Sequence, residues 1–177
     1  MKIKLAILGT MLLLVLGCSD SPIDIVKNGK LDFDKSTTVG NAFDNYPYFK
    51  STSWETFDDQ QKRTIVQFKG SFDLIDLAKE EIRTKAPAAY FPVNYAEVLA
   101  DCIDDKGCYL YSANYYFVVQ FLITGDQKFR VGFIGFQKNN DEPVKTPVQS
   151  DIQRLYNGQS LTRAIATDML YQHIRDK

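Results

Sequence analysis

Apolar residues alternate with a period of two along two stretches of this chain, and the stretches differ in what fills the intervening positions. Between Tyr115 and Thr124, the residues Tyr115, Phe117, Val119, Phe121 and Ile123 share one face, while Tyr116, Val118 and Leu122 populate the other. Alternation marks a strand, and two apolar faces mean that neither meets water, so this stretch is expected at the centre of a sheet. Between Thr64 and Phe72, the residues Thr64, Val66, Phe68 and Phe72 fall on one face, with Arg63, Gln67, Lys69 and Ser71 on the other. That is the pattern of a half-buried antiparallel strand. Gly125-Asp126 is a hairpin signal, so Phe129–Phe136 is expected to return antiparallel. Gly132 and Gly135 interrupt this return, where a bulge or a closely packed neighbour is expected. Ser53–Phe57, carrying Trp54, reads as a further strand, and Asp58–Lys62 is a polar turn.

Helical spacing appears elsewhere. Ser36-Thr37-Thr38 supplies N-cap hydroxyls ahead of Val39, Ala42, Phe43 and Tyr46, and Pro47 makes Tyr46 the expected helix end. That stripe reads as core packing. Asp73 can cap a helix through about Lys85 with Leu74, Ala78 and Ile82 on one face. A proline-broken link, Ala86–Pro92, precedes a short helix over Asn94–Cys102. Lys138–Ser150 is a polar loop with Pro143 and Pro147, and Asp151–Tyr156 is a short helix closed by Gly158. A last helix starts near Ser160 with Leu161, Ile165 and Met169 inward. The expected fold class is α+β, an antiparallel sheet of about four strands with helices packed on one face.

The N-terminal pattern is of another kind. Lys2 and Lys4 precede an apolar run from Leu5 to Leu16, and Gly17 supplies a small residue for a peptidase. This is the layout of a secretory signal peptide, too short to span a membrane comfortably. Residues 1–17 are therefore expected to be removed. Residues 18–35 are expected to form a tether, partly docked through Ile23, Ile25, Val26 and Leu31, and residues 36–177 a single α+β domain. All 22 acidic residues follow Gly17, whereas Lys2 and Lys4 leave with the signal, so the mature chain is mildly acidic. Phosphate contacts need a basic footprint, which makes nucleic acid a poor candidate partner. Cys102 and Cys108 are an even pair close in sequence. In an oxidising compartment they read as a local disulfide, with two free buried thiols as the alternative. With no histidine nearby they do not complete a tetrahedral zinc site.

Val15-Leu16-Gly17-Cys18 resembles the lipobox of bacterial lipoproteins, in which the cysteine is acylated and becomes the first residue of the mature chain. The resemblance implies a lipid anchor on Cys18 and a place in the bacterial cell envelope. Ser19, where an Asp would retain an enteric lipoprotein in the inner membrane, favours the outer membrane facing the periplasm. A second resemblance rests on Val26-Lys27-Asn28-Gly29, Thr38-Val39-Gly40-Asn41-Ala42-Phe43-Asp44, Trp54-Glu55-Thr56-Phe57 and Ile65-Val66-Gln67-Phe68-Lys69-Gly70. This series looks like a pattern recurring in small bacterial lipoproteins and secreted domains that have no assigned activity. It implies the same fold and address and supplies no catalytic residues.

Candidate chemistry is sparse. His173 is the one histidine, near the C-terminus and without a Gly-x-Ser-x-Gly elbow, and it reads as a surface or helix-dipole residue. Asp101, Asp104 and Asp105 do not have EF-hand spacing, because Ile103 and Lys106 occupy positions that need an oxygen ligand and a glycine. Carboxylate pairs for glycoside cleavage carry no specificity in a chain with 22 carboxylates. The feature singled out is aromatic: Tyr90, Phe91, Tyr95, Tyr109, Tyr111, Tyr115 and Tyr116. Protruding tyrosines make rigid interface contacts, and Tyr109 and Tyr111, just past the cysteine loop, are the expected binding residues. The expectation is a non-enzymatic envelope lipoprotein that binds a protein partner, with no metal or cofactor. A glycan or cell-wall hydrolase and a carrier of an apolar ligand are the alternatives.

Overall fold

The computed structural model describes residues 20–73, 76, 114–125, 128–145, 150–159 and 161. In chain order these form α1 (Pro22–Asn28), α2 (Val39–Asp44), β1 (Ser51–Asp58), β2 (Thr64–Phe72), β3 (Tyr115–Thr124), β4 (Lys128–Lys138), β5 (Val144–Lys145) and α3 (Ser150–Tyr156). The strands make one antiparallel sheet in the order β1-β2-β3-β4-β5. Four are long, as the alternation implies, and the fifth is a two-residue addition from the polar loop. The strand with two apolar faces, β3, lies in the middle.

Register explains how one face becomes the core. Trp54 lies opposite Phe68, Phe68 opposite Val119 and Val119 opposite Ile134, so large side chains line up in a row across four strands. Val66, Phe72, Phe117, Phe121 and Phe136 extend this face. They form one buried cluster with Val26 of α1, Val39 and Phe43 of α2, and Ile152 and Leu155 of α3. Phe43 is the hub. Its ring meets Phe68 edge-on at 4.8 Å and Phe121 at 5.8 Å, and lies 6.0 Å from Trp54. Full burial of such a ring stabilises by about 1.5–3 kcal/mol, before any gain from edge-to-face geometry. The opposite face is not simply solvated. Ile65, Val118, Leu122 and Gln67 are buried there too, so the centre of the sheet is shielded on both sides.

Both glycines of β4 have the roles that their positions suggest. Gln120 pairs with Phe133 and Phe121 with Val131, which leaves Gly132 as the extra residue of a bulge. A Cβ on Gly135 would stand 2.3 Å from the Val144 carbonyl oxygen, so β5 approaches only because that side chain is missing.

Local chemistry sets the ends of the elements. Thr38 is extended and its hydroxyl accepts from the Asn41 backbone N–H at 3.2 Å, the N-cap of α2. Gly158 has φ +63°, with its own N–H bonded to the Leu155 carbonyl and that of Gln159 to the Arg154 carbonyl. This pair of bonds is the Schellman ending of α3. Tyr46 then ties the two helical regions together, donating to the Gln159 carbonyl at 2.8 Å and accepting from Leu161 N–H at 2.9 Å. Between β1 and β2, Asp59 accepts from the backbone N–H groups of Gln61 and Arg63 and from Arg63 Nε. The Arg63 side chain, above all, holds this carboxyl below its ordinary range.

One segment differs from its expected form. Docking of the expected tether through Val26 and Leu31 is seen, both being buried, but the docked piece is a helix. Ser21 caps it, accepting from Asp24 N–H at 3.2 Å, and Pro22 stands in the first turn, where its missing N–H costs nothing. Asp76 N–H donates to Asp73 Oδ1 at 3.2 Å, as an N-cap at Asp73 requires. The rest of that expected helix, the helix over Asn94–Cys102 and the last one beyond Leu161 lie outside the described residues. Among the described residues, no helix is long and apolar enough to cross a membrane.

Candidate functional site

Three residues far apart in sequence meet where α1, α2 and β1 converge. Lys27, in the last turn of α1, places Nζ 2.6 Å from Oδ2 of Asp44, the final residue of α2. The other Asp44 oxygen accepts from Trp54 Nε1 at 2.7 Å and from Thr52 Oγ1 at 3.4 Å, both on β1. Lys27 Nζ also lies 5.5 Å from the centre of the Trp54 ring. Two glycines allow this convergence. At Gly40 a Cβ would meet Lys27 Cβ at 2.9 Å, and at Gly29 it would lie 2.1 Å from the Phe129 ring. Gly29 further accepts from Val39 N–H at 2.9 Å. The Lys27 and Asp44 side chains are about one third exposed, so their ion pair itself contributes only ~0.2–1 kcal/mol. Its consequence is positional, because the indole is fixed at one edge of the sheet.

That edge is β1. Its pairing with β2 is regular over eight residues, with neither bulge nor proline. Asp59 N–H donates to the Arg63 carbonyl at 3.0 Å, which identifies Asp59 and Arg63 as a hydrogen-bonded pair of the ladder. Bonding alternates along an antiparallel pair. Ser53, Glu55 and Phe57 therefore turn their backbone groups to β2, and Thr52, Trp54, Thr56 and Asp58 turn theirs to the open side. Among the described residues no strand pairs with that side. Every residue from Glu55 to Asp58 is exposed, Phe57 to 39%.

On the sheet face that carries Glu55, a polar row braces the strand from within. Gln120 Nε2 donates to Gln67 Oε1 at 2.7 Å, Gln67 Nε2 donates to Glu55, and Lys69 Nζ stands 3.5 Å from the same Glu55 oxygen. At the two ends, Lys50 pairs with Asp73, which raises the Lys50 ammonium above its ordinary range, and Asp58 accepts from Thr64 Oγ1 at 3.1 Å. Among the described residues, the outward-facing N–H and C=O groups of β1 have no strand partner, an arrangement suited to strand addition.

The residues singled out from sequence fall mostly elsewhere. Cys18, Cys102, Cys108, Tyr109, Tyr111 and His173 lie outside the described residues, as do Asp101, Asp104 and Asp105. Of the aromatic series, Tyr115 is core, and burial raises its phenol above the ordinary range. Tyr116 is half-buried. Lys27 and Asp44 carried no signal of their own. Lys27, Gly40, Phe43, Asp44, Trp54 and Phe68 are among the contacts that join α1, α2, β1 and β2. Among the described residues, no group of three or more His, Cys, Asp or Glu side chains is placed to hold a metal ion. The chain matches no protein-family model, no curated protein and no solved structure.

Proposed function

We propose that this is a lipid-anchored protein of the bacterial cell envelope, held in the outer membrane through Cys18, whose α+β domain binds an envelope protein and performs no catalysis. The observation that carries the reading is the Leu12–Cys18 stretch, an apolar run ending in Gly-Cys with no gap. In this reading α1, α2 and α3 cover one face of the sheet. Because α1 starts at Pro22, the docked helix follows Cys18 by only four residues, which at ~3.3–3.6 Å per residue keeps the domain within about 15 Å of the bilayer. Tyr109 and Tyr111, beside a Cys102–Cys108 disulfide, make the contacts to the partner. Several acyl chains on one cysteine hold a protein firmly, whereas none leaves it soluble. Cys18→Ser should therefore release the protein from the membrane fraction, and unchanged fractionation refutes the anchor. Tyr109→Ala with Tyr111→Ala should leave melting nearly unchanged and weaken capture of the partner from solubilised membranes by about 30-fold, the equivalent of ~2 kcal/mol. His173→Ala should change neither. Loss of function in a folded, anchored His173→Ala protein would replace the binding reading with a catalytic one.

A further inference from the structure

An asparagine followed by glycine is prone to react with its own backbone, because glycine has no side chain to shield its nitrogen. The pair occurs twice, at Asn28-Gly29 and at Asn157-Gly158, each time at the end of a helix. We propose that Asn157 is a site of spontaneous conversion to aspartate and isoaspartate in the folded protein, and that the fold protects Asn28.

The chemistry needs only water. The Gly158 nitrogen gives its proton to hydroxide and attacks Cγ of the Asn157 side chain. The new N–C bond closes a succinimide ring, and the side-chain nitrogen leaves as ammonia. Water then opens the ring. Cleavage of the new bond gives aspartate, and cleavage of the original peptide bond gives isoaspartate, with the chain continuing through the side chain.

Attack requires the glycine N–H to leave its own hydrogen bond, so the rate follows how often each helix end opens. The two N–H groups are held alike, Gly29 donating to the Val26 carbonyl at 3.1 Å and Gly158 to the Leu155 carbonyl at 3.0 Å. Their surroundings differ. A Cβ on Gly29 would lie 2.1 Å from the Phe129 ring, and the Gly29 carbonyl accepts from Val39 N–H at 2.9 Å. Val26 is wholly buried and Lys27 is tied to Asp44, so opening here parts α1 from α2 and from β4. Around Gly158 nothing lies within 4 Å of the Cβ position, and Asn157, Gly158 and Gln159 are all exposed. Among the described residues, opening there breaks the bonds from Gly158 and Gln159 N–H and moves no core side chain.

The product reaches the core through Tyr46. Isoaspartate adds a carbon to the main chain just ahead of Gln159, whose carbonyl accepts from the Tyr46 hydroxyl at 2.8 Å, and of Leu161, whose N–H donates to it at 2.9 Å. It also sets a negative charge at the C-terminal end of α3, where the helix dipole disfavours one. Conversion therefore loosens the tie between the α2 and α3 regions and lowers the melting temperature.

The test incubates the full chain, folded in detergent at mildly alkaline pH, and maps isoaspartate by peptide fragmentation. Residue 157 should convert on the order of tenfold faster than residue 28, following the difference in opening. Equal rates, or faster conversion at Asn28, overturn the assignment. So does an unconverted Asn157 after the time in which the denatured chain reacts fully. In strong denaturant the two sites should react alike; the same preference there would trace it to flanking residues and overturn the protection by the fold. Asn157→Ser removes the reacting amide. Its melting temperature should hold constant over the incubation in which that of the parent falls, and parallel falls overturn the link to Tyr46. None of these outcomes depends on the lipid anchor, so a Cys18→Ser chain should give the same rates.

Discussion

Along its outer half, β4 carries Lys128 and Arg130, then a bulge at Gly132, and from Gly135 its edge is covered by the two residues of β5. At the other end of the sheet, β1 runs eight residues in unbroken register, with Glu55 and Asp58 as its charges and half of its backbone groups turned outward. Long unpaired edges template unwanted pairing, and proteins blunt them with cationic side chains, bulges and short covering strands. Among the described residues, all three devices are found on β4 and none on β1, whose own charges are two carboxylates. The asymmetry teaches that, among the described residues, one end of the sheet is blunted and the other is not, and that Trp54, fixed by its hydrogen bond to Asp44, sits on the unblunted strand.

The largest effect should come from the strand that both ends hang on. Phe121 is fully buried in β3, stacked on Trp54 at 6.1 Å and edge-on to Phe129 at 5.7 Å, so it touches the open edge and the blunted strand together. Phe121→Ala should cost about 3–5 kcal/mol in denaturant unfolding. A loss below about 1 kcal/mol would mean that β3 is not the common support.

Next is the blunted end alone. Gly135→Val drives a side chain into the Val144 carbonyl and the Phe133 ring, which lies 2.6 Å from the position of a Cβ. It should cost about 1–3 kcal/mol and lift β5 away, opening the second half of β4 as an edge. Light scattering should then show concentration-dependent aggregates absent from the parent. Unchanged solubility after this change would show that β5 covers nothing that needs covering.

Why some of this could be read from the chain and some could not follows from range. Alternation with two apolar faces fixes β3 as central, because only a covered strand tolerates Val118 and Leu122 opposite Phe117 and Phe121. Gly132 and Gly135 were legible because glycine in a strand has few other reasons to be there. The cap at Thr38 and the stop at Gly158 are local and equally plain. Helix α1 was missed as a helix, although Ser21-Pro22-Ile23-Asp24 holds a cap, a first-turn proline and an acidic first turn. The short apolar pattern of Ile23, Ile25 and Val26 masked that signal. The convergence of Lys27, Asp44 and Trp54 had no local signature, since it exists only once two helices and a strand are packed. Nor does periodicity say which of several half-buried strands lies at an edge.

Alkaline pH loosens the shared core without touching β1, which contains no tyrosine. Burial, above the other influences, raises the Tyr46 phenol well past its ordinary value, and the Tyr156 phenol rises for the same reason. A phenol of ordinary pKa in the unfolded chain releases its proton above about pH 10, while the folded one keeps it. The raised group therefore contributes its full stability below about pH 10 and loses it as pH climbs towards the folded value. Stability should fall by ~1.4 kcal/mol per pH unit for Tyr46 alone above pH 10. Tyr46→Phe should flatten this slope while lowering stability at neutral pH, because the Leu161 N–H and the Gln159 carbonyl lose their partner. A flat profile up to pH 11 in the native protein would contradict the burial of Tyr46.

The smallest change in stability should come from the charges on β4, and it tests the comparison most finely. Lys128 and Arg130 are exposed, and neither carries a described ion pair. Lys128→Thr with Arg130→Thr should therefore stay within about 0.5 kcal/mol of the parent in denaturant unfolding. Both are strand-compatible substitutions, so what they remove is repulsion between edges rather than support for the fold. If cationic side chains are what closes this end, the double variant should self-associate more strongly, and added salt should mimic it in the parent by screening. If the variant stays as soluble as the parent at every salt concentration, the bulge at Gly132 suffices. A strand twisted at that point cannot lie flat against another edge, whatever its charge. In that case the difference between the two ends of the sheet, among the described residues, reduces to one glycine, since β1 has no counterpart to Gly132 in its register with β2.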